Sequence, residues 1–377
     1  VFVGELSLDG CIRKVSGVLS MIIDAKRCGA KEIFIPQANA AEGKLIHGID
    51  VYTASTLTEI VEHLLDNKKL QPLPKENIMQ NKQRIYHVDF ADVKGQLVAR
   101  RALEIAAAGG HSILMVGAPG CGKTMLARRL VTILPPMTES EALEVTKIYS
   151  IVGMLSQTDS IMLERPFRSP HHSVSGSALL GGGSTPRPGE VTLSHNGVLF
   201  LDELPEFERK VLDALRQPLE SGEIIISRAN AKVQFPARFQ LIAAMNPSPT
   251  GHYQGTHNRA SPQQVMRYLN RLSGPFLDRF DLSIEVPLLP QGALQAGNEH
   301  RGETTEQVRA RVLKAREIQF ARAGKINGQL STREIERDCR LSEQDARFLE
   351  SALAKLGLSV RAYHRILKVS RTIADLA

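Results

Sequence analysis

Apolar and polar positions alternate differently in four successive stretches of the chain. In residues 1–66, short strand-like runs alternate with amphipathic helical runs, which is typical of a small α+β unit. Residues 67–85 are polar and contain proline, so they are predicted to form a solvated linker. In residues 86–290, buried strands alternate with helices, which predicts a parallel sheet with crossover helices. Residues 291–377 have helical spacing and almost no strand signal, which predicts a helical lid domain.

Signals at helix ends and chain ends refine this division. Thr56 is a plausible helix N-cap because Glu59 follows it three residues later. The first residues, VFVGEL, have no Met, no basic region and no apolar signal segment, and the last residues, RTIADLA, follow a helical pattern. We therefore expect the chain to be a piece of a longer protein.

Composition limits the compartment and the partners. With 42% hydrophobic and 23% charged residues, the chain is expected to be soluble and globular. It has no apolar run near the ~18 residues that cross a bilayer, so no membrane partner is expected. Four widely spaced cysteines without a secretory signal predict free thiols in a reducing cytoplasm. The net charge of +7 suits a polyanionic partner but does not require one.

A glycine-rich loop carries the sharpest chemical signal. An apolar run, Ile113–Val116, precedes a segment that matches G-x(4)-G-K-[ST], and an amphipathic helix follows. In this context, backbone N–H groups and the helix N-terminus bind phosphate oxygens. Lys123 is predicted to reach the β- and γ-phosphates of ATP, and the Thr124 hydroxyl to hold Mg²⁺. The predicted nucleotide-binding residues are Gly117, Ala118, Pro119, Gly120, Cys121, Gly122, Lys123 and Thr124.

Two further apolar runs end in polar residues. The run Gly197-Val-Leu-Phe-Leu is followed by Asp202, a predicted Mg²⁺ ligand, and Glu203, a predicted general base for the attacking water. The same acids could also cap the next helix. The run ending at Met245 is followed by Asn246, whose amide could bond the γ-phosphate or the water, although Asn before Pro is also an ordinary turn.

Two arginines that lie far from the loop in the sequence are candidates for contact with a phosphate. Arg279 lies between two acids just before a predicted strand, and Arg361 lies in the first turn of a helix. Arg279 could be an arginine finger that reaches the γ-phosphate of a neighbouring subunit, and Arg361 could contact the same phosphate. Either could instead be a paired or solvated surface residue.

The order of these motifs resembles the AAA+ family in its magnesium-chelatase-like branch, and within it the ComM (YifB-type) subfamily. The resemblance covers GAPGCGKT, GVLFLDE, AAMNP, LDRFD and LSVRAYHR, and it is densest in RPFRSPHHSVSGSALLGGGSTPRPGEVTLSHNGVLFLDELPEF. It implies a homo-hexameric ATPase with Asn246 as sensor 1, Arg279 as arginine finger and Arg361 as sensor 2. It also implies a DNA motor that drives branch migration of incoming single-stranded or branched DNA in natural transformation. The alternative is a chelatase-like protein-remodelling ATPase without DNA activity.

The sequence departs from the family pattern at two places. The cysteine cluster that often follows sensor 1 is replaced by NPSPTGHYQGTHNR, so a zinc site would need His252 and His257 alone and is not expected. Residues 1–66 resemble part of a Lon-type protease fold, but Leu19 stands where that fold has its lysine. A Ser–Lys dyad cannot form without lysine, so proteolysis is not expected.

Two insertions are candidates for contact with DNA. The first spans residues 164–190, where Arg165 and Arg168 could bind DNA and where His171 and His172 are expected to point to opposite faces of a strand. The second is a predicted hairpin with Arg228 and Lys232 near its tip. Both could instead fold onto the ATPase core. The first lid helix is interpreted as a solvated or subunit-facing surface, with DNA contact the alternative, on its basic residues Arg309, Arg311, Lys314, Arg316 and Arg322.

Overall fold

The computed structural model of the protein describes residues 1–75, 88–155, 161–183, 186–228, 231–251, 260–288 and 302–377. The chain divides into two units. Unit 1 consists of Val1–Ile85 and Pro136–Arg165, and unit 2 consists of Tyr86–Pro135 and Pro166–Ala377. The sequence pattern had assigned residues 136–165 to the sheet domain, whereas their contacts group them with the N-terminal unit.

The elements are as follows, in chain order. The strands are β1 (Glu5–Leu6), β2 (Ile12–Arg13), β3 (Glu32–Pro36), β4 (Asp50–Ala54), β5 (Ile113–Val116), β6 (Phe167–Arg168), β7 (Gly181–Gly182), β8 (Arg187–Pro188), β9 (Val198–Leu201), β10 (Glu223–Arg228), β11 (Ala231–Pro236), β12 (Gln240–Met245) and β13 (Leu282–Glu285). The helices are α1 (Val18–Arg27), α2 (Ala40–Gly43), α3 (Leu57–Leu64), α4 (Leu97–Gly109), α5 (Lys123–Ile133), α6 (Glu139–Ile151), α7 (Gly176–Leu180), α8 (Glu190–Leu193), α9 (Arg209–Ala214), α10 (Arg216–Ser221), α11 (Pro262–Leu269), α12 (Gly274–Leu277), α13 (Thr305–Ala323), α14 (Thr332–Asp338), α15 (Glu343–Leu356) and α16 (Val360–Leu376). Short 3₁₀ turns lie at Gln37–Asn39, Phe90–Asp92, Leu204–Glu206 and Asn327–Gln329.

Unit 1 is built from mixed strands and helices, as its sequence pattern predicts. β3 and β4 pair in parallel, and the Thr56 hydroxyl caps α3 by accepting from the Glu59 N–H at 3.4 Å. α1 follows Gly17, which has φ 80°, and Leu19 is fully buried. The Leu19 side chain is therefore part of the apolar interior of this unit.

The start of the predicted linker packs onto unit 1. The Leu73 N–H donates to the Val51 carbonyl at 2.8 Å, and the Leu70 N–H donates to Nδ1 of His63 at 2.9 Å. Apolar side chains and backbone pairing thus hold residues 67–75, which the polar composition of the segment did not reveal. The rest of that segment lies outside the described residues.

Unit 2 is organised around a five-stranded parallel sheet in the order β13-β5-β12-β9-β6. One face packs against α4, α5 and α13, and the other face packs against α7, α9, α11 and α12. Burial on both faces explains why β5, β9 and β12 are continuous apolar runs rather than alternating ones. The prediction of an α/β core with a parallel sheet is confirmed.

The C-terminal region of unit 2 is helical, which is also as predicted. α13 is joined to α4 and α5 through Val308, Val312 and Ala315, which are buried in the same core. Its arginines have partners in their own chain: Arg309 donates to the Thr132 carbonyl at 2.7 Å, and Arg316 donates to the Ala107 carbonyl at 2.6 Å. Lys314 is exposed, and Arg309 and Arg316 are half-buried. The acceptors of these two arginines come from distant parts of the chain that helical spacing does not specify.

Candidate nucleotide site

The phosphate loop lies between the end of β5 and the start of α5. Gly120 and Gly122 have φ angles of 79° and 93°, which residues other than glycine rarely adopt. Gly117 is needed for another reason, because a Cβ there would collide with the Val286 carbonyl oxygen and lie 2.7 Å from Sγ of Cys121. The loop thus passes close to the segment after β13, and its geometry fits a phosphate cradle.

Lys123 is the charged group in this loop, and its side chain is buried. Its Nζ donates to the carbonyls of Gly117 at 2.7 Å and Ala118 at 3.0 Å, and to Oδ1 of Asn246 at 3.2 Å. The amide of Asn246 therefore meets the loop, since β12 lies between β5 and β9 in the sheet. When a nucleotide binds, its phosphate oxygens would replace these oxygens as the acceptors of Lys123.

Two oxygen donors next to the loop fit a magnesium ion. The Thr124 hydroxyl donates to Oδ2 of Asp202 at 2.7 Å, which joins the start of α5 to the end of β9. Hydroxyl and carboxylate oxygens are the donors that Mg²⁺ prefers, and it commonly binds one or two carboxylates together with substrate phosphates. Thr124 and Asp202 therefore have the chemistry and the proximity to hold Mg²⁺ next to a bound nucleotide.

Glu203 follows Asp202 in a left-handed turn. Its φ is 51°, and its N–H donates to Oδ1 of Asp202 at 2.9 Å. Its side chain is 56% exposed, and its Oε2 lies 3.2 Å from Nδ1 of His172. In the sequence, His172 lies in an insertion, and no motif there indicates this contact.

The loop has one support that the sequence analysis missed entirely. Nε2 of Gln96 donates to the Cys121 carbonyl at 2.7 Å and to the Pro287 carbonyl at 3.4 Å. Gln96 stands just before α4 with φ 50°, and nothing in its local sequence identifies it. It ties the loop to the segment that follows β13.

Comparison with known proteins now identifies the family. The model described as magnesium chelatase, subunit ChlI, matches residues 89–294, and the model of its C-terminal part matches residues 302–377. A model described as subunit ChlI of Mg-chelatase matches residues 1–39. The chain belongs to the magnesium-chelatase-like AAA+ family, in its ComM/YifB-type branch.

Relatives of this family differ in how much of the chain they match. The competence protein ComM of Haemophilus influenzae is 62% identical over 100% of this chain and 74% of its own length. The YifB protein of Salmonella typhimurium is 52% identical over 99% of this chain and 73% of its own length. The magnesium-chelatase 38 kDa subunit of Cereibacter sphaeroides is 26% identical over 52% of this chain and 58% of its own length. Membership of this AAA+ family implies an ATPase that uses a nucleotide and Mg²⁺.

Arg279 lies near Arg216 and Arg361, at the end of the sheet opposite to the phosphate loop. Arg279 precedes β13, whose first backbone N–H donates to the Ser112 carbonyl just before β5. Arg279 pairs with Glu220, and its side chain is 11% exposed. Burial lowers the pKa of the Arg279 guanidinium, and the charges of Arg361 and Arg216 lower it further, against the opposing effects of Glu220 and Asp278. An anion would relieve this crowding of positive charge.

The N-terminal end of α16 is fixed beside Arg279. Arg365 donates to the Phe280 carbonyl at 2.6 Å and to Oδ1 of Asp278 at 3.3 Å. Arg361, one turn earlier, is exposed. Within the described part of the chain, Nε of both Arg279 and Arg216 is buried without a hydrogen-bond partner. Arg216 was not singled out from the sequence, because it lies in a helix with no motif around it.

The candidate DNA residues have different surroundings. Arg165 is paired with Glu141 at 3.0 Å in unit 1, and Arg168 makes a bidentate pair with Glu190 at 2.6 and 2.7 Å in unit 2. Both guanidinium groups therefore hold parts of the fold together. The second insertion is the hairpin that was predicted, with β10 and β11 antiparallel and Lys232 exposed. The Arg228 side chain lies outside the described residues.

The structure tests one of the two expectations about histidines. The rings of His171 and His172 lie 4.0 Å apart, so the expectation that they point to opposite faces is wrong. They stand in a turn after β6 rather than in a strand, and side chains do not alternate there. His252 and His257, the candidates for zinc, lie outside the described residues. Among the residues that the structure describes, no group of three or more His, Cys, Asp and Glu could hold a metal ion.

No described helix combines the length and the apolar character that crossing a membrane requires.

Proposed function

We propose that this chain is the subunit of a homo-hexameric, ATP-driven DNA motor that promotes branch migration of incoming DNA during natural transformation. ATP would bind to the loop from Gly117 to Thr124. Thr124 and Asp202 would hold Mg²⁺, which when bound neutralises charge on the phosphates. The Glu203 carboxylate would accept a proton from the attacking water, and Asn246 would orient that water or the γ-phosphate.

The position of Arg279 is the observation that supports a ring of several copies of the chain. The phosphate loop follows the carboxyl end of β5, whereas Arg279 precedes the amino end of β13, and these two strands are parallel. The Arg279 guanidinium therefore lies at the edge of the sheet opposite to its own phosphate loop. A γ-phosphate that Arg279 contacts would belong to a second copy of the chain.

The same geometry supports a shared role for Arg361. It is close enough to Arg279 to lower the pKa of that guanidinium, and Arg365 fastens the same helix to the residues around Arg279. Arg279 and Arg361 would then contact the phosphate of the neighbouring subunit together. Glu220, which pairs with Arg279 in the single chain, would be exchanged for that phosphate.

The case for DNA rests on a relative and on one surface. The relative at 62% identity is named a competence protein, and natural competence is the uptake of DNA. The β10–β11 hairpin presents Lys232 to solvent, and the chain carries a net charge of +7. Arg228, the last residue of β10, would contribute a second positive charge. Such charges bind the DNA backbone without reading its sequence.

A protein-remodelling ATPase without DNA activity is the second candidate. The family models that match most of the chain are those of magnesium chelatase, and the pairing of Arg165 and Arg168 within the fold removes two charges from the proposed DNA surface. Such a motor would respond to a protein partner instead.

The test is the steady-state ATPase rate measured without nucleic acid, with single-stranded DNA and with a branched DNA junction. The salt concentration is held constant because phosphate contacts depend strongly on it. Stimulation by DNA that disappears in Glu203→Gln and weakens in Lys232→Ala would support the motor. An ATPase that no DNA stimulates would favour the remodelling candidate.

A further inference from the structure

Arg365 of α16 binds the residue before Arg279 and the residue after it. Its Nη1 donates to the Phe280 carbonyl at 2.6 Å, and its Nη2 donates to Oδ1 of Asp278 at 3.3 Å. The Arg365 side chain is 24% exposed, so water has limited access to these bonds. One rigid, planar group therefore restrains the backbone on both sides of Arg279.

A second contact joins the end of this segment to the same helix. His111 is fully buried, with Nδ1 3.1 Å from Oδ2 of Asp281 and Nε2 2.8 Å from the Thr372 hydroxyl. Thr372 follows Arg365 by about two helical turns, so both side chains leave the same face of α16. The segment 278–281 is thus bound to this face at two separate places, once directly and once through His111.

A lysine between these two positions faces the same way. The Lys368 ammonium group donates to the Gly328 carbonyl at 2.9 Å. Burial lowers the pKa of Lys368, and the negative charge of Asp281 opposes this effect. This face of α16 is therefore occupied by contacts within the chain. Arg361, one turn before Arg365, is exposed instead.

We propose that Arg365 is a positioning residue that fixes the backbone around Arg279, so that Arg279 and Arg361 reach the neighbouring subunit's nucleotide together. The inference rests on the proposed function, in which both arginines act on a second copy of the chain. Arg361 shares a helix with Arg365, and Arg279 lies between the two acceptors of Arg365 in the sequence. An arginine finger stabilises charge in the transition state, and a small displacement of such a group weakens it although the arginine is still present.

The first experiment compares Arg365→Ala with Arg279→Ala and with the control Arg371→Ala in the full chain. Arg371 is a matched control because it is also an arginine of α16, but its side chain pairs with Asp375 of the same helix at 2.9 Å. We expect Arg365→Ala to lower kcat at least about 10-fold, as part of the ~10³–10⁵-fold that an arginine finger contributes. The Kd of a fluorescent ATP analogue should stay unchanged, because the phosphate loop lies at the other edge of the sheet. Arg371→Ala should change kcat by no more than about twofold.

Mixed rings show which active site Arg365 serves. An Arg365→Ala subunit should keep a working phosphate loop, so mixing it with Lys123→Ala should restore ATPase activity where a Lys123→Ala subunit supplies the arginines. Mixing it with Arg279→Ala should restore nothing, because neither subunit then places its arginine on the phosphate of a neighbour. The mixture of Arg279→Ala with Lys123→Ala is the control for subunit exchange.

Three results would overturn the inference. The first is a wild-type kcat in Arg365→Ala. The second is activity that returns with Arg279→Ala and not with Lys123→Ala, which would assign Arg365 to the site of its own chain. The third is no recovery with either partner although the control mixture recovers, which would mean that Arg365 only supports the fold or the assembly.

If Arg365→Ala does not fold, Arg365→Lys takes its place in both experiments and is judged by the same results. Lysine keeps the charge and the apolar stem but lacks the planar fork that donates in two fixed directions. An ATPase rate that Arg279→Ala does not lower would instead contradict the proposed function itself, and the inference with it.

Discussion

At the scale of single residues, the phosphate loop depends on one position without a side chain and on one buried lysine. Gly117 is close to the Val286 carbonyl and to Cys121, so the loop can pass between them only without a side chain at this position. Lys123 is held by loop carbonyls and Asn246, which keeps its ammonium group inside the cradle. The site therefore depends on backbone geometry as much as on charge.

Replacing Gly117 by alanine should impair nucleotide binding. The added Cβ would overlap backbone, and forcing atoms into a packed site costs about 1–3 kcal/mol. We expect Gly117→Ala to weaken the affinity for an ATP analogue about 10-fold or more by distorting the loop. Gly274→Ala is the control, because nothing lies within 4 Å of a Cβ there and no positive φ is required. Equal affinities in the two variants would contradict the steric explanation.

Cys121 lies within the phosphate loop, so alkylation of its thiol should report on nucleotide binding. The thiol is only 3% exposed, whereas Cys11 and Cys28 are exposed. In the native protein we therefore expect a maleimide to modify Cys11 and Cys28 first and Cys121 only slowly, with bound ATP slowing it further. Peptide mass spectrometry over time gives the order. Modification of Cys121 as fast as Cys28 would show that the loop opens readily.

At the scale of elements, buried polar groups join the helical region to the sheet. His111, just before β5, lies 3.1 Å from Oδ2 of Asp281 and 2.8 Å from the Thr372 hydroxyl of α16. Asn327 continues this chain of contacts by donating to Thr372 and to Asp375. Arg322 of α13 completes it with a bidentate pair to Asp375 at 2.8 and 2.6 Å. These contacts fix α13 and α16 relative to β5 and β13.

Asp375→Asn should remove a pH-dependent part of the stability. Burial by itself would raise the pKa of Asp375, but hydrogen bonds from Arg322 and Asn327 outweigh it and hold the pKa below its usual value. A carboxylate with a lowered folded pKa stabilises the protein above its unfolded pKa, about 3.9, and this contribution is lost as the pH falls through the folded pKa. Breaking a buried pair costs about 3–5 kcal/mol, so the variant should unfold at lower urea at pH 7.

The difference between Asp375→Asn and wild type should shrink as the pH falls below ~4, because the carboxyl of the unfolded wild type binds a proton there while that of the folded protein is still ionised. Asp66→Asn is the control, since Asp66 forms an exposed pair with Lys69 and such pairs contribute little to stability. Urea unfolding curves at several pH values make the comparison. A difference that does not vary with pH would mean that the charge of Asp375 is not what stabilises the network.

At the scale of the whole molecule, the proposed function implies that a single chain carries halves of two different active sites. The phosphate loop with Glu203 lies at one edge of the sheet, and Arg279 with Arg361 lies at the other. Neither half is expected to complete a site in the same chain. The proposed ring follows from this separation, because a neighbour would bring the second half.

Mixing two inactive variants should therefore restore activity. Arg279→Ala keeps its phosphate loop, and Lys123→Ala keeps its arginine, so mixed rings would contain some interfaces with both. Lys123→Ala alone should bind ATP poorly. Arg279→Ala alone should bind ATP but hydrolyse it poorly. An equal mixture should recover roughly a quarter of the wild-type ATPase rate if subunits combine at random. No recovery in mixtures that do exchange subunits would mean that Arg279 acts within its own chain or not at all.

The sequence by itself determined the core of the fold and the chemistry of the site. Long apolar runs such as Ile113–Val116 are buried on both faces of a sheet, so their pattern is strong, and the phosphate loop has a spacing that few other structures require. The order of motifs determined the family for the same reason. These features are local, and each is complete within a short segment.

Only the tertiary structure decided which residues meet across the chain. The contact between His172 and Glu203 depends on strand register, and the grouping of residues 136–165 with unit 1 depends on long-range packing. Arg309 and Arg316 of α13 donate to backbone carbonyls of α5 and α4, and the neighbours of Arg279 come from three separate segments. A charged residue looks the same in a sequence whether it faces water or a partner. The difference is made by elements far apart in the chain, which pack together only when the whole molecule folds.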